Sequence, residues 1–546
     1  MEFFRFLQRE SGAIGRRVGV VTFLGGAVSG LMVTIILAAA PAAAKPEESF
    51  RFLLLFTVAL VAMMAAKRYS LRHTGQLTES IVERLRLRIT DKIRRADLLF
   101  FENTGSAQFM SLLTKETQVI SSTVSMAINA TSAAVMLFVS FLFIAYLSVA
   151  AFALTLGAIA IAVLAYKWSL KAVEPQLVET LQTENTFFAL IDHLLNGFKE
   201  LKMDARKNRD LYDGHLRPIA RRVTTLKVET NNRFVTTTLI THSAFYGLLG
   251  VIIFLLPKIV QCDVSVVIKI STVILFSFGP LAEVVGVVPF IAKATVAIGA
   301  IETMEKTLDD ELARVAPVNF AELPAALPIR EIEVRNMTFA YRNPDGTPGY
   351  RVGPLNLTIK AGEMLFIMGG NGSGKSTFLK LLTGLYLPES GSLLVNGQPI
   401  VPAQYHRYRN MFSIIFTDFH LFDRLYGLEK VDEDQLAKLL HEMDLATKTS
   451  YYEGRFSHLN LSTGQRKRLS LIVALLEGKS VLIFDEWAAD QDPQFRKHFY
   501  EVILPELKAQ GKTIIAATHD DRYFHTADRV LKMEYGHFVD ARDGTK

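Results

Sequence analysis

The amino-acid sequence predicts a multi-domain chain: an all-α membrane domain of six spans, followed by an α/β domain built on a phosphate-binding loop. Three observations predict it. Half of the 546 residues are hydrophobic and the mean hydropathy is positive, which a polar enzyme domain alone would not give. The apolar surplus lies in roughly the first 300 residues, as uncharged runs that alternate with strongly basic segments. Residues 369–377 form a glycine-rich turn between a buried-strand run and a helix. The expected divisions are a membrane domain at 1–314, a Pro- and Ala-rich linker at 315–328 and a nucleotide-binding domain at 329–546.

The spans follow in order. Val18 to Ala44 carries no charge, and Phe52 to Ala66 is a shorter second run. Gln118 to Tyr166 is uncharged for long enough to hold two helices with a tight turn near Leu147-Ser148. Phe234 to Pro257 is the fifth, and Val264 to Ile291, apolar apart from Lys269 and Glu283, is the sixth. Arg16-Arg17, the first apolar run and Ala40-Pro41-Ala42 have the look of a cleavable signal. At roughly 25 residues, however, the run exceeds a signal core and fits an uncleaved span. Ahead of it, Phe3-Phe4-Arg5-Phe6-Leu7 with Arg9 suits a short interfacial helix, a disordered tail being the alternative.

Basic residues set the orientation. Lys67, Arg68, Arg72, Arg84, Arg86 and Arg88 follow the second span; Lys167, Lys171, Lys202, Arg206 and Lys207 lead the cations after the fourth. Both segments are expected in the cytoplasm, and so are both termini. The formal charge of +6 is then topology and attraction to membrane lipids of the inner leaflet, with no nucleic-acid partner needed. The single cysteine, Cys262, falls in the predicted outer loop and permits no internal disulfide. Without Cys/His ligand clusters, the expected ion is Mg2+ arriving with ATP.

Two helix breaks, Phe100 to Gly105 and Leu194 to Leu201, interrupt the long cytoplasmic segments. They are candidate points at which membrane helices press on the ATPase, or else ordinary punctuation.

In the C-terminal domain, Met364 to Met368 is a buried-strand run that enters Gly369-Gly370-Asn371-Gly372-Ser373-Gly374-Lys375-Ser376-Thr377. Its glycines let backbone N–H groups wrap phosphates, Lys375 neutralises the β and γ oxygens, and the Ser376 hydroxyl ligates Mg2+. Val481 to Phe484 delivers Asp485, expected to hold the ion, and Glu486, expected to polarise the attacking water as general base. The strand Thr513 to Thr518 ends in His519, placed to hold base and water in line. About ninety residues after the phosphate loop comes Leu461-Ser462-Thr463-Gly464-Gln465, a second anion-binding turn entering a helix. One chain cannot close both turns on one ATP, so the expected unit is a dimer with each nucleotide between one copy's loop and the other's Ser462, Gly464 and Gln465. Asp492 lies where a residue can signal across that interface.

These motifs after six spans closely resemble a bacterial ABC exporter half-transporter, over nearly the whole chain. More narrowly, Phe412 to Asp423, Leu461 to Leu469 and Asp485 to Pro493 look like the cyclic-peptide exporter family, whose members include pyoverdine- and syringomycin-associated transporters and a lasso-peptide microcin exporter. The resemblance implies a homodimer in the bacterial inner membrane that uses ATP and Mg2+ to export a peptide or peptide-derived molecule. It also assigns adenine stacking to Tyr341. Two departures stand out. Thr417 occupies the place of the usual Mg2+-contacting Gln, and Trp487-Ala488-Ala489 replaces the usual Pro-Thr-Ser.

Ionisable groups inside spans are costly unless they face water or a partner, which makes Glu283 and His242 candidate cavity residues. Asn129, Thr131 and Ser132 in the third span and Thr236, Thr237, Thr238 and Thr241 in the fifth are polar groups expected to face a helix partner or a wet cavity. A flippase of lipid or lipid-linked intermediates and a non-transporting regulatory ATPase remain as alternatives, since fold cannot separate them.

Overall fold

The computed structural model describes residues 2–42, 46–260, 263–313, 328–342, 347–428 and 430–539. Cys262 and almost all of the 315–328 segment lie outside the described residues. The chain forms two compact units, one of Met1–Thr90 with Ala107–Met304, the other of Asp91–Ser106 with Glu305–Lys546.

The first unit is helical. Its long helices are α1 (Glu2–Ala42) and α2 (Pro46–Ile93), whose last residues fall in the second unit, then α4 (Thr117–Leu147), α5 (Val149–Asn196), α6 (Arg217–Phe254) and α7 (Val264–Gly286), with α8 (Val288–Leu312) continuing into the second unit. Among the described residues five helical stretches are long and apolar enough to cross a bilayer; the fourth expected span is α5, whose described apolar part is Val149–Ile161. The expected turn between third and fourth spans is Ser148, which takes extended φ/ψ and accepts a hydrogen bond from the Ala151 N–H as N-cap of α5. Helix α1 begins at Glu2 and kinks at Gly12, where φ is 55°. The stretch is helical, with Phe3 and Phe6 buried on one side and Phe4 exposed on the other.

Close approach between α1 and α4 depends on small residues. A Cβ on Gly26 would lie 2.4 Å from the Ser132 carbonyl oxygen, and one on Gly30 would lie 2.7 Å from the Val139 Cβ. The expected sixth span runs from α7 into α8 through Val287, which keeps right-handed helical φ/ψ, as one apolar stretch over Val264–Leu312.

The second unit is α/β. Strands β1 (Glu331–Arg342), β2 (Pro348–Lys360) and β4 (Ser390–Val395) form an antiparallel sheet, with Gln398–Pro399 added at its edge. A six-stranded sheet runs β9 (His537–Val539), β8 (Arg529–Glu534), β3 (Met364–Met368), β7 (Thr513–Ala517), β6 (Val481–Asp485), β5 (Phe412–Ile415). Its strands are parallel except β9. Every residue of β6 and β7 is buried, as continuous apolar runs in a sheet covered on both faces should be.

The expected boundary at residue 314 keeps 91–106 with the membrane domain, whereas the structure gathers that segment into the second unit. Leu98 and Leu99 of the short helix α3 (Leu98–Thr104) pack against the apolar core of this unit. Glu102 accepts hydrogen bonds from Lys380 Nζ at 2.8 Å and from the Tyr386 hydroxyl. Burial, reinforced by that bond to Glu102, pushes the Tyr386 phenol well above its usual range. The other helix break also falls where the sequence puts it, between Asn196 and Phe198.

Candidate nucleotide site

Strand β3 ends in the glycine-rich turn at the middle of the parallel sheet, and helix α9 (Lys375–Leu382) starts directly from it. The turn needs glycine for two reasons. Gly372 and Gly374 take φ of 76° and 104°, and a Cβ on Gly369 would lie 2.3 Å from the Met533 carbonyl oxygen. Around it the structure gathers Lys375, Ser376, Asp485, Glu486 and His519 from α9 and the ends of β6 and β7. Lys375, only 5% exposed, donates to the Gly369 and Gly370 carbonyls at 2.7 and 3.1 Å. Its Nζ also lies 3.3 Å from Glu486 Oε1 and 3.3 Å from His519 Nε2. His519 Nε2 in turn lies 2.8 Å from Glu486 Oε1.

The electrostatics separate the two adjacent carboxylates. Burial raises the Asp485 carboxyl, and the Glu486 charge adds to it, against the lowering effect of the Ser376 and Thr417 hydroxyls and Lys375. For Glu486, burial alone would raise the pKa, but hydrogen bonds from His519 and Lys375 outweigh it and hold the carboxyl below its usual value. Glu486 is thus ionised at neutral pH, the form a general base requires.

Asp485 Oδ1 and Ser373 Oγ are buried without hydrogen-bond partners. An orphaned carboxylate oxygen beside the Ser376 hydroxyl, next to a positive-φ glycine turn, suits a hard divalent cation and phosphate oxygens. Thr417 approaches from the end of β5, where its hydroxyl meets the Asp485 carbonyl at 3.4 Å. Tyr341 is half-buried, edge-on to Phe339 and Tyr386, with its hydroxyl 3.0 Å from Thr377 Oγ1. Asn371 is exposed.

Ser462, Gly464 and Gln465 are not brought to this turn. Among the described residues their hydrogen bonds run elsewhere. Ser462 and Gln465 form a reciprocal capping box at the start of α10 (Thr463–Leu476), and the Gly464 carbonyl accepts from Gln491 Nε2 at 3.1 Å. Asp492 is held in its own chain, capping α11 (Pro493–His498) and pairing with Arg468 at 2.5 Å.

Sequence reasoning missed the side chain that joins these two regions. Lys467 is 1% exposed, and its Nζ donates to the Glu486 carbonyl at 2.8 Å and pairs with Asp490 at 2.7 Å. The Trp487 indole donates to the Lys467 carbonyl at 2.9 Å. Lys467, Ser470, Leu471 and Ala474 repeat at helical spacing and all four are buried.

Glu283 and His242 line separate cavities. Glu283 shares one with Asn129 and Ser132, whereas His242 lies 4.8 Å ring to ring from Phe278 beside Thr238 and Thr241. The two cavities lie against different faces of α7, with Gly279, Pro280 and Glu283 on one and Phe278, Leu281, Ala282 and Val285 on the other.

Fold and site define a phosphate-loop ATPase carried on the same chain as a multi-pass membrane domain. Family models agree: that of the ABC transporter matches residues 352–489, and that of the ABC transporter transmembrane region matches 18–206. ATP-binding protein SyrD of Pseudomonas syringae pv. syringae is 31% identical over 530 residues, covering 95% of this chain and 93% of that one. Macrolide export ATP-binding/permease protein MacB 2 of Aeromonas hydrophila is 34% identical over 200 residues, 34% of this chain and 30% of its own. A solved structure, a bacterial Atm1-family ABC exporter with ATP bound, aligns with TM-score 0.78 over 96% of this chain and 95% of that chain, at 16% identity, which is a likeness of fold. The chain belongs to the ABC transporter family, as a half-transporter of exporter architecture, and is an ATP hydrolase coupled to transmembrane transport.

Proposed function

We propose that two copies of this chain form a homodimer in the bacterial inner membrane, termini in the cytoplasm, and export a peptide or peptide-derived molecule of cyclic-peptide or siderophore type. The observation that carries the reading is full-length kinship with ATP-binding protein SyrD, joined to the cyclic-peptide-exporter pattern at 412–423, 461–469 and 485–493. On this reading residues 1–314, apart from 91–106 and 305–312, which the structure gathers with the second unit, form the membrane domain, and 315–328 join it to the nucleotide-binding domain at 329–546.

The side chains take the following roles. Tyr341 stacks on adenine, and 369–377 wrap the phosphates with Lys375 against the terminal ones. Ser376 and Asp485 hold Mg2+, with Thr417 alongside, and when bound the ion neutralises charge on the phosphates. Glu486, ionised and oriented by His519, takes the proton of the attacking water. The second copy's Ser462, Gly464 and Gln465 close the site from the opposite side, with Asp492 at the same interface.

The test is metabolite profiling of cells lacking the protein. A retained peptide product that also stimulates ATP hydrolysis by the reconstituted protein is the expected result. A lipid-linked precursor accumulating on the inner leaflet, with no retained peptide, would replace export of a peptide by lipid flipping.

A further inference from the structure

Helices α1, α2, α4 and α7 border a half-open cavity of about 330 Å3, at the small end of ligand sites, on which Lys67, Asn129 and Glu283 are exposed. Its polar lining is Thr22, Ser29, Lys67, Ser70, Asn129, Ser132 and Glu283, with the Ser29 hydroxyl donating to the Gly25 carbonyl at 2.8 Å. Thr22 and Ser70 satisfy each other at 2.7 Å. Among the described residues, the side chains of Lys67, Asn129, Ser132 and Glu283 have no hydrogen-bond or ion-pair partner. One ammonium and one carboxylate therefore line a single small space without pairing, with an amide and a hydroxyl beside them.

The depths agree. Lys67 lies 21 residues from Pro46 and Glu283 lies 19 residues from Val264, about 30 Å of helix in each case. On the proposed topology, on which this inference rests, that places both at the inner edge of a bilayer whose core is about 30 Å thick. An exposed carboxylate at that depth is costly against lipid tails and is stable against water, a partner or a charged ligand. The wall beside them is fixed, because Gly26 and Gly30 seat α1 directly on α4 next to Ser132.

We propose that this cavity binds a zwitterionic group, an ammonium facing Glu283 and an acid anion facing Lys67, with Asn129 and Ser132 hydrogen-bonding what lies between them. The free ends of a small peptide carry that chemistry, and so does a phosphoethanolamine headgroup.

The test uses the full chain in phosphatidylglycerol vesicles, reading ATP hydrolysis. One arm titrates the dipeptide Leu-Phe, its N-acetyl form and its C-terminal amide; the other raises the phosphatidylethanolamine content. Blocking either end of the dipeptide is expected to raise the half-stimulating concentration about tenfold or more, the scale of one charge-assisted hydrogen bond. Glu283→Gln should erase the discrimination at the amine, and Lys67→Met that at the carboxylate. Stimulation by phosphatidylethanolamine alone, lost in Glu283→Gln, would keep the zwitterion site, assign it to lipid and remove the peptide-export reading. Stimulation by the dipeptide that ignores both blocking groups would leave peptide export standing and overturn the site. No response to either probe would overturn it as well.

Discussion

Replacing Lys467 by Met tests whether the helix that begins in the LSTGQ turn holds Glu486, the proposed general base, in place. Glu486 has left-handed φ/ψ of 50° and 36°, a conformation that costs a non-glycine residue about 1–2 kcal/mol. The Lys467 ammonium, bonded to the Glu486 carbonyl at 2.8 Å, offsets that cost. Methionine keeps the apolar stem packed and removes only the charge. Asp490, about half exposed, hydrates on losing its partner, so the loss falls mainly on the Glu486 carbonyl. A hydrogen bond from a charged donor is worth about 1.5–3 kcal/mol. Expressed in the transition state, that is a fall in kcat of roughly tenfold to a hundredfold, at 1.36 kcal/mol per decade. The assay is steady-state hydrolysis by the reconstituted protein, with kcat and KM resolved. KM for ATP should stay within about twofold, because the phosphate loop is untouched. Lys467→Gln keeps an uncharged amide N–H donor group and should recover part of the loss. An unchanged kcat, a loss confined to KM, or a Gln variant no better than Met would each refute this.

His519→Ala should shift the acid limb of the kcat/KM profile upward. The Glu486 carboxyl lies below 4.5 because the His519 and Lys375 bonds outweigh burial, and deleting one bond raises it toward that value or beyond; an unmoved limb in a pH titration would show that His519 does not set the state of Glu486. Tyr386→Phe removes the hydroxyl that donates to Glu102, and should cost about 1 kcal/mol and lower the unfolding midpoint of the second unit by a few degrees. Calorimetry showing no change would mean that Lys380 and the packing of Leu98 and Leu99 hold the 91–106 segment without this hydroxyl.

Much of this molecule is legible in the sequence because its signals are local. Uncharged runs mark the spans, Ser148 marks the turn between the third and fourth, and the β3 and β6 runs deliver the phosphate loop and Asp485-Glu486 to one end of a sheet. What stays hidden depends on contacts between distant segments. Lys467 sits in an Arg-Lys-Arg run that reads as a solvated face, yet packing of α10 buries it beneath Glu486. The 91–106 segment reads as part of a membrane-domain loop, and joins the ATPase unit through Leu98, Leu99 and Glu102. Glu283 and His242 are equally anomalous in composition, and only the helix packing shows that they line different cavities.

The most direct test of the central claim, that Glu486 cleaves ATP at this site to drive transport, is Glu486→Gln in the reconstituted full chain, measured for ATP retention and for turnover. The carboxylate that accepts the proton is gone, while Lys375, Ser376 and the glycine turn remain. The expected result is ATP held as tightly as by the unaltered protein, with hydrolysis reduced by about a hundredfold or more, the usual scale of a lost general base. Turnover near that of the unaltered protein, with ATP still bound, would contradict the assignment and require another group to activate the water.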